Sequence, residues 1–124
     1  MRRDVERLLK PAARDRVAQG QDPKVAAFIG EALPRLRPRF DSLQAVIFGS
    51  RARGDALTTS DLDVILVSPS FQSIPFLKRP VAVLEALDYP GGLELLCYTP
   101  EEFEAKQDEY GIVRVAIEEG ISIS

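Results

Sequence analysis

The sequence predicts a single α/β (α+β) domain in which a small mixed β-sheet is covered by helices. Short apolar runs rich in branched residues predict strands, and longer segments with apolar residues at helical spacing predict helices. After an opening helical stretch, the two kinds of segment alternate along the chain, as expected of a sheet packed against helices. The 124 residues suffice for one modest core.

The spacing of apolar residues in the first 42 positions predicts helices. Apolar residues at the spacing of one helix face are Val5, Leu8, Leu9, Ala12, Ala13 and Val17. Pro11 is expected to kink or split this first helix. Asp22 is the predicted N-cap of a second amphipathic helix, with Pro23 at its first position. We therefore assign residues 1–42 to an N-terminal helical segment packed on the domain, and residues 43–124 to its core.

The core segment alternates strands and helices. The Thr99-Pro100-Glu101-Glu102 sequence has the pattern of a capping box with proline at the first helical position. The predicted elements are strands at 43–48 and 61–67, a helix at about 81–87, a strand at 93–98, helices from 100 to about 110 and at 112–119, and a short edge strand in the final ISIS.

The composition excludes several classes of function. The chain has no histidine, which removes Ser-His-Asp and Cys-His catalysis and HExxH zinc sites. Its single cysteine, Cys97, lies in an apolar run and cannot belong to a disulfide framework. No apolar run approaches membrane-spanning length, and the charged N-terminus does not resemble a secretory signal, so a cytoplasmic protein is expected.

The two halves of the chain carry opposite charge. Residues 1–60 contain 12 Lys and Arg against 7 Asp and Glu, whereas residues 61–124 contain 4 against 12. An evenly solvated mixed surface is one interpretation. A basic flank that attracts phosphate beside an acidic flank that holds cations or a partner is the other.

The stretch VIFGSRARGDALTTSDLDVILV holds the predicted site. Asp61 and Asp63 would share one face of a strand, with their side chains about 6 to 7 Å apart. Such a pair suits Mg²⁺, which is held by one or two carboxylates together with waters and substrate phosphates. Gly49 leaves room for a phosphate, and Ser50 offers a hydroxyl and an amide at the start of a turn or helix.

A third carboxylate is expected from a neighbouring strand. Glu94 is the only charged residue within the 93–98 strand, and the alternative is a structural glutamate paired with an arginine. For Arg51 and Arg53, structural ion pairs and phosphate contacts are both open.

Gly49-Ser50, ten intervening residues and Asp61-Leu62-Asp63 resemble the GS-x10-DxD signature of the DNA polymerase β-like nucleotidyltransferase superfamily. The longer GSRARGDALTTSDLDVILV is similar to its small branch, the minimal nucleotidyltransferases. The resemblance covers roughly residues 43 to 110, and Glu94 matches the third metal carboxylate. It implies the polymerase β-like nucleotidyltransferase fold.

The resemblance also implies transfer of a nucleotide from a nucleoside triphosphate, expected to be AMP from ATP, with release of pyrophosphate. Asp61 and Asp63 would bind two Mg²⁺ ions, with Mn²⁺ as an alternative, and Glu94 would hold the ion that activates the nucleophile. The implied nucleotide-binding residues are Gly49, Ser50, Arg51, Arg53 and Ser60.

Minimal members of the family resemble antitoxins that modify a tyrosine of a partner HEPN-domain toxin, which makes such a partner the expected acceptor. The alternatives are a non-catalytic binding module that neutralises or scaffolds a partner, and a homo-oligomer that modifies a small molecule. A nucleic-acid template is not expected.

Overall fold

The computed structural model describes residues 22–54, 56, 60–87, 92–109 and 111–123. The predicted helix around residues 5–17 lies outside these ranges. Helix α1 covers residues 23–36 and consists of Pro23–Ala27, a π-helical segment Phe28–Ala32 and Leu33–Leu36. The other elements are β1 (Gln44–Phe48), α2 (Ser50–Arg53), β2 (Leu62–Val67), two short 3₁₀ helices (Pro69–Ser73 and Phe76–Lys78), α3 (Arg79–Leu87), β3 (Leu93–Tyr98), α4 (Pro100–Lys106), α5 (Ile112–Glu119) and β4 (Ile121–Ile123).

Helix α1 begins as predicted. The Asp22 side chain accepts hydrogen bonds from the backbone N–H groups of Lys24 and Val25. The helix passes through Pro34 by means of the π-helical segment, in which the Leu33 N–H bonds to the Phe28 carbonyl, five residues back. Because Pro34 has no N–H to donate, the wider turn before it keeps the helix continuous.

The four strands form one mixed sheet in the order β3-β2-β1-β4. Strand β1 is antiparallel to both β2 and β4, whereas β2 and β3 are parallel. The predicted fold class, a mixed sheet covered by helices, is therefore confirmed. Strand β2 begins at Leu62, so Asp61 lies just before the strand and not within it as predicted.

Helices cover both faces of the sheet. One face packs against α1 and α3 through a core that includes Phe28, Leu36, Ile47, Val64 and Leu66. The opposite face packs against α4 and α5, and its buried residues are Val46, Ile65, Val67, Tyr98, Phe103, Val113 and Ala116. Residues 22–42 thus share the core of the sheet. No helix among the described residues is long and apolar enough to cross a membrane.

The helix after β3 confirms its predicted cap. The Thr99 side chain accepts from the Glu102 N–H, and the Glu102 carboxylate accepts from the Thr99 N–H. Helix α4 ends at Lys106, earlier than the predicted end near residue 110, which lies outside the described residues. The predicted 93–98 strand has the same bounds as β3.

Candidate active site

Gly49 forms the turn between β1 and helix α2. Its φ of 76° and ψ of −159° lie in a region that side chains rarely adopt. A Cβ atom at this position would also overlap the carboxylate of Asp63. The Gly49 carbonyl accepts from the Ala52 and Arg53 N–H groups, both at 3.1 Å, and this starts the short helix. Glycine is therefore required here both by the backbone conformation and by the space that Asp63 occupies.

Asp63 and Glu94 lie side by side on adjacent strands. Asp63 pairs with Phe48 across the antiparallel β1–β2 ladder and with Glu94 across the parallel β2–β3 ladder. Residues directly opposite in a sheet point to the same face. Phe48, Asp63 and Glu94 therefore lie next to one another on one face, across three neighbouring strands. Because Gly49 directly follows Phe48, both acids lie beside the Gly49 turn.

The pKa of the Asp63 carboxyl is raised to about 6. Burial is the largest cause, followed by the hydrogen bond and the charge of Glu94 and then the charge of Asp61. The positive charge of Arg53 acts in the opposite direction. Close carboxylates resist simultaneous ionisation, so Asp63 keeps its proton to a higher pH than an ordinary aspartate, up to about pH 6.

Asp61 is exposed and directly precedes the first residue of β2. The Leu62 N–H donates to the Gly92 carbonyl at 2.8 Å, which fixes the start of β2 against β3. A Cβ atom on Gly92, whose φ is 75°, would lie 2.9 Å from Lys24 Nζ and 3.7 Å from Asp61 Oδ1. Lys24 and Asp61 therefore approach the same side of this turn. Lys24 is a site neighbour that the sequence analysis missed.

The donor set fits a hard divalent cation. It consists of carboxylate oxygens on one face of the sheet, and a cation bound by Asp63 and Glu94 would compete with protonation of Asp63. Across the part of the chain that the structure describes, no three acidic, histidine or cysteine side chains are already grouped closely enough to hold a metal. Asp61 would have to turn toward the Asp63–Glu94 pair to complete the predicted set.

Arg51 forms a structural ion pair, which is one of the two alternatives that the sequence left open for it. Its side chain is almost fully buried and donates two hydrogen bonds to the Asp22 carboxylate, at 2.9 and 3.1 Å. Its Nε donates to the Ser60 carbonyl at 3.0 Å, and Lys24 Nζ donates to the same oxygen at 3.0 Å. Arg51 thus ties the start of α1 to the segment before β2. A phosphate contact from Arg51 or from the Ser60 side chain stays a prediction.

Arg53 differs from Arg51 in exposure and surroundings. Its side chain is 44% exposed and contacts Glu119 at 3.2 Å. Its charge lowers the pKa of Asp63, which places its positive field at the carboxylates. Of the two arginines, Arg53 is therefore the one whose charge can be offered to a phosphate beside the acids.

Comparison with known proteins assigns the chain to a family. No curated protein matches the sequence. The structure is similar to the crystal structure of a candidate nucleotidyltransferase from Sulfolobus solfataricus, with 22% identity over 73% of this chain and 71% of that chain and a TM-score of 0.48. The family model of the nucleotidyltransferase domain matches residues 29–122, which begin within α1 and extend into β4. The predicted resemblance is thereby confirmed, and the chain belongs to the nucleotidyltransferase domain family.

Proposed function

We propose that the chain transfers a nucleotide, AMP from ATP, to a hydroxyl group of a partner protein in a reaction that depends on a divalent metal. The observation that carries the proposal is the pairing of Asp63 with Glu94 beside the Gly49 turn. In a nucleotidyltransferase domain, this arrangement would put carboxylates that can hold a cation next to a glycine turn whose backbone can contact phosphates.

Each group has a defined task in the proposed reaction. Asp61, Asp63 and Glu94 would hold Mg²⁺ or Mn²⁺, which when bound neutralises the phosphate charge and polarises the attacking hydroxyl. Gly49 and Ser50 would seat the β- and γ-phosphates, and Arg53 would add positive charge. The acceptor oxygen forms a bond to the α-phosphorus. The bond between the α-phosphorus and the oxygen that bridges it to the β-phosphate breaks, and pyrophosphate leaves.

The proton of the acceptor hydroxyl needs a base in this scheme. With no histidine in the chain, Glu94 or solvent would accept it, with help from the metal, which would make the hydroxyl more acidic.

The acceptor in the proposal is a tyrosine of a HEPN-domain toxin that this chain would neutralise. The experiment incubates the protein with each α-labelled triphosphate, Mg²⁺ and the product of the adjacent gene. Label on that product, confirmed by an added AMP in its intact mass and lost with Asp63→Asn, would support the proposal. A partner neutralised equally well by the Asp63→Asn protein, with no added mass, would instead identify a binding module.

A further inference from the structure

Lys24 reaches the edge of the sheet at which the acidic residues lie, although it belongs to helix α1. Its ammonium group donates a hydrogen bond to the Ser60 carbonyl at 3.0 Å. Ser60 directly precedes Asp61 in the chain. This bond therefore joins the helix to the residue before the first predicted metal ligand. The proposed catalytic scheme gives Lys24 no task, and Lys24 precedes the residues that the family model matches.

The Ser60 carbonyl accepts a second hydrogen bond, from Arg51. Arg51 Nε donates to it at 3.0 Å, and the same guanidinium donates to the Asp22 carboxylate at 2.9 and 3.1 Å. That carboxylate also accepts from the Lys24 backbone N–H at 2.8 Å. Asp22, Lys24, Ser60 and Arg51 thus form a closed ring of hydrogen bonds, which we call the Ser60 clamp. Two cationic side chains hold one carbonyl in it.

The backbone of Asp61 is held on both sides. The Ser60 clamp fixes the carbonyl before it, and the Leu62 N–H after it donates to the Gly92 carbonyl at 2.8 Å. The Asp61 side chain is exposed and would have to turn toward Asp63 and Glu94 to join them. Ordering a backbone costs conformational entropy, and here folding has already met that cost. Rotation of the side chain alone would then bring the Asp61 carboxylate to a metal.

Gly92 leaves the space that the Lys24 ammonium occupies. A Cβ atom at this position would lie 2.9 Å from Lys24 Nζ and 3.7 Å from Asp61 Oδ1. The first of these distances is shorter than Cβ contacts in proteins, so any larger residue would displace the ammonium. The φ of Gly92 is 75°, which also favours glycine. The turn before β3 therefore admits Lys24 beside Asp61.

The charge of Lys24 suits a complex of metal and nucleotide. An ammonium group beside Asp61 would repel a bare divalent cation. A divalent cation bound to a triphosphate belongs to a complex with net negative charge, because the phosphate charges outnumber those of the cation. Lys24 would attract this complex. Its charge and its bond to the Ser60 carbonyl thus favour binding of the loaded nucleotide together.

We propose that Lys24 is a positioning residue of the transferase site and acts through Asp61. Together with Arg51 it holds the Ser60 carbonyl, so that Asp61 joins the metal site by rotation of its side chain. The proposal rests on the proposed function, because it takes Asp61 as a metal ligand. It gives helix α1 a task in the reaction in addition to its packing against the sheet.

The test measures Mn²⁺ binding by calorimetry in the presence of a non-hydrolysable ATP analogue. Lys24→Met keeps most of the apolar stem and removes the ammonium, whereas Lys24→Arg keeps a donor and the charge. Lys78→Met is the control, because Lys78 is an exposed lysine of the second 3₁₀ helix. Gly92→Ala and Gly54→Ala form a second pair. Both glycines have a positive φ, but an added Cβ would meet Lys24 only at Gly92, and at Gly54 it would meet no atom within 4 Å.

We expect Lys24→Met and Gly92→Ala each to weaken Mn²⁺ binding about fivefold, and Lys78→Met and Gly54→Ala less than about twofold. Lys24→Arg should lose less affinity than Lys24→Met. Mn²⁺ binding by Lys24→Met that equals or exceeds that of the wild type would overturn the proposal. Equal losses in Gly92→Ala and Gly54→Ala would also overturn it, since the loss would then come from the backbone conformation alone.

A double-mutant cycle determines whether Lys24 acts through Asp61. In the Asp61→Asn protein, Lys24→Met should weaken Mn²⁺ binding by less than about twofold. In the Glu94→Gln protein, the same change should still weaken it about fivefold. Equal losses in the two backgrounds would show that Lys24 only supports the fold, and would refute the positioning role.

A measurement without metal separates this proposal from the proposed function. Hydrogen exchange of the Leu62 amide, which donates to the Gly92 carbonyl, should be faster in Lys24→Met than in the wild type or Lys78→Met. Unchanged exchange would refute the clamp. If the wild type bound no Mn²⁺, the metal-dependent function would fail and the positioning role with it. If the wild type and Lys24→Met bound Mn²⁺ equally, only the positioning role would fail.

Discussion

Asp63 lies directly opposite Glu94 across the parallel β2–β3 pair, and the proximity of Glu94 helps to raise the pKa of the Asp63 carboxyl. Two acids in this position destabilise the charged state of the protein unless a proton or a cation lies between them. Burial is the largest cause of the raised pKa of Asp63, and the charges of Glu94 and Asp61 add to it. We therefore expect the stability of the protein and the proposed metal binding to be linked through this pair.

The stability of the metal-free protein should fall as pH rises from about 4 to about 6. The pKa of Asp63 is raised from 3.8 to about 6, so in this window the folded protein binds more protons than the unfolded chain. A shift of this size on a fully buried group corresponds to about 3 kcal/mol, and for the partly exposed Asp63 we expect about 1 kcal/mol.

Urea denaturation in a chelator at pH 4, 5, 6 and 7 would measure this loss. Asp63→Asn should remove the corresponding part of the pH dependence, whereas Glu85→Gln, an exposed change on α3, should leave it in place. The same pH dependence in Asp63→Asn and wild type would contradict the assignment to Asp63.

Metal binding should require both acids of the pair. Asp63→Asn and Glu94→Gln should each weaken Mn²⁺ binding, measured by calorimetry with a non-hydrolysable ATP analogue, by about tenfold or more. Below pH 6, binding to the wild type should release a proton, because the metal displaces the one that Asp63 holds in that range. Without metal, the Asp63→Asn protein should be at least as stable as the wild type. Unchanged Mn²⁺ affinity in both variants would remove these residues from the metal site.

Local sequence patterns were sufficient to predict most of the fold. Strand β3 was predicted with its observed bounds because Gly92 precedes it and the Thr99-Pro100 cap follows it. Glu94 was then chosen as the third carboxylate because it is the only charged residue within that strand, and the structure places it opposite Asp63. Periodicity and capping act over a few residues, and the sequence displays them directly.

Contacts between distant segments could not be predicted in the same way. The ion pair from Arg51 to Asp22 joins residues 29 positions apart, and nothing in either segment indicates the other. Arg79 is similar, since a lone arginine at the start of an apolar helix gives no sign that it will be buried against Glu102 and Phe76. Such pairings depend on how whole helices and strands pack against one another. This packing is determined by many residues together and cannot be read from a local pattern.

Gly49→Ala should damage both stability and triphosphate binding. An alanine would have to adopt a φ of 76° and displace the Asp63 carboxylate. The conformational cost alone is about 1–2 kcal/mol. Triphosphate binding should weaken much more than adenosine binding, because the turn is proposed to contact phosphates and not the nucleoside.

Gly30→Ala is the control for this change. Gly30 lies within the helix α1, and an added Cβ would meet no atom within 4 Å, so alanine should raise the free energy of unfolding by about 0.5–1 kcal/mol. Equal losses of ATP and adenosine binding in Gly49→Ala would show that the turn is only structural.

The two arginines of α2 should respond differently to removal. Arg51→Ala removes the guanidinium that pairs with the Asp22 carboxylate, in a site where the arginine side chain is only 6% exposed, and it also removes a bond to the Ser60 carbonyl. We expect a loss of about 2–4 kcal/mol in the free energy of unfolding. Arg53→Ala breaks an exposed pair with Glu119 and should cost less than about 1 kcal/mol. It should nevertheless weaken ATP binding and raise the pKa of Asp63, because the positive charge that opposes the raised pKa is gone.

Urea denaturation, ATP titration and the carboxyl NMR shift of Asp63 would measure the three effects in both variants. A larger stability loss in Arg53→Ala than in Arg51→Ala, or ATP binding unchanged by Arg53→Ala, would reverse the roles assigned here.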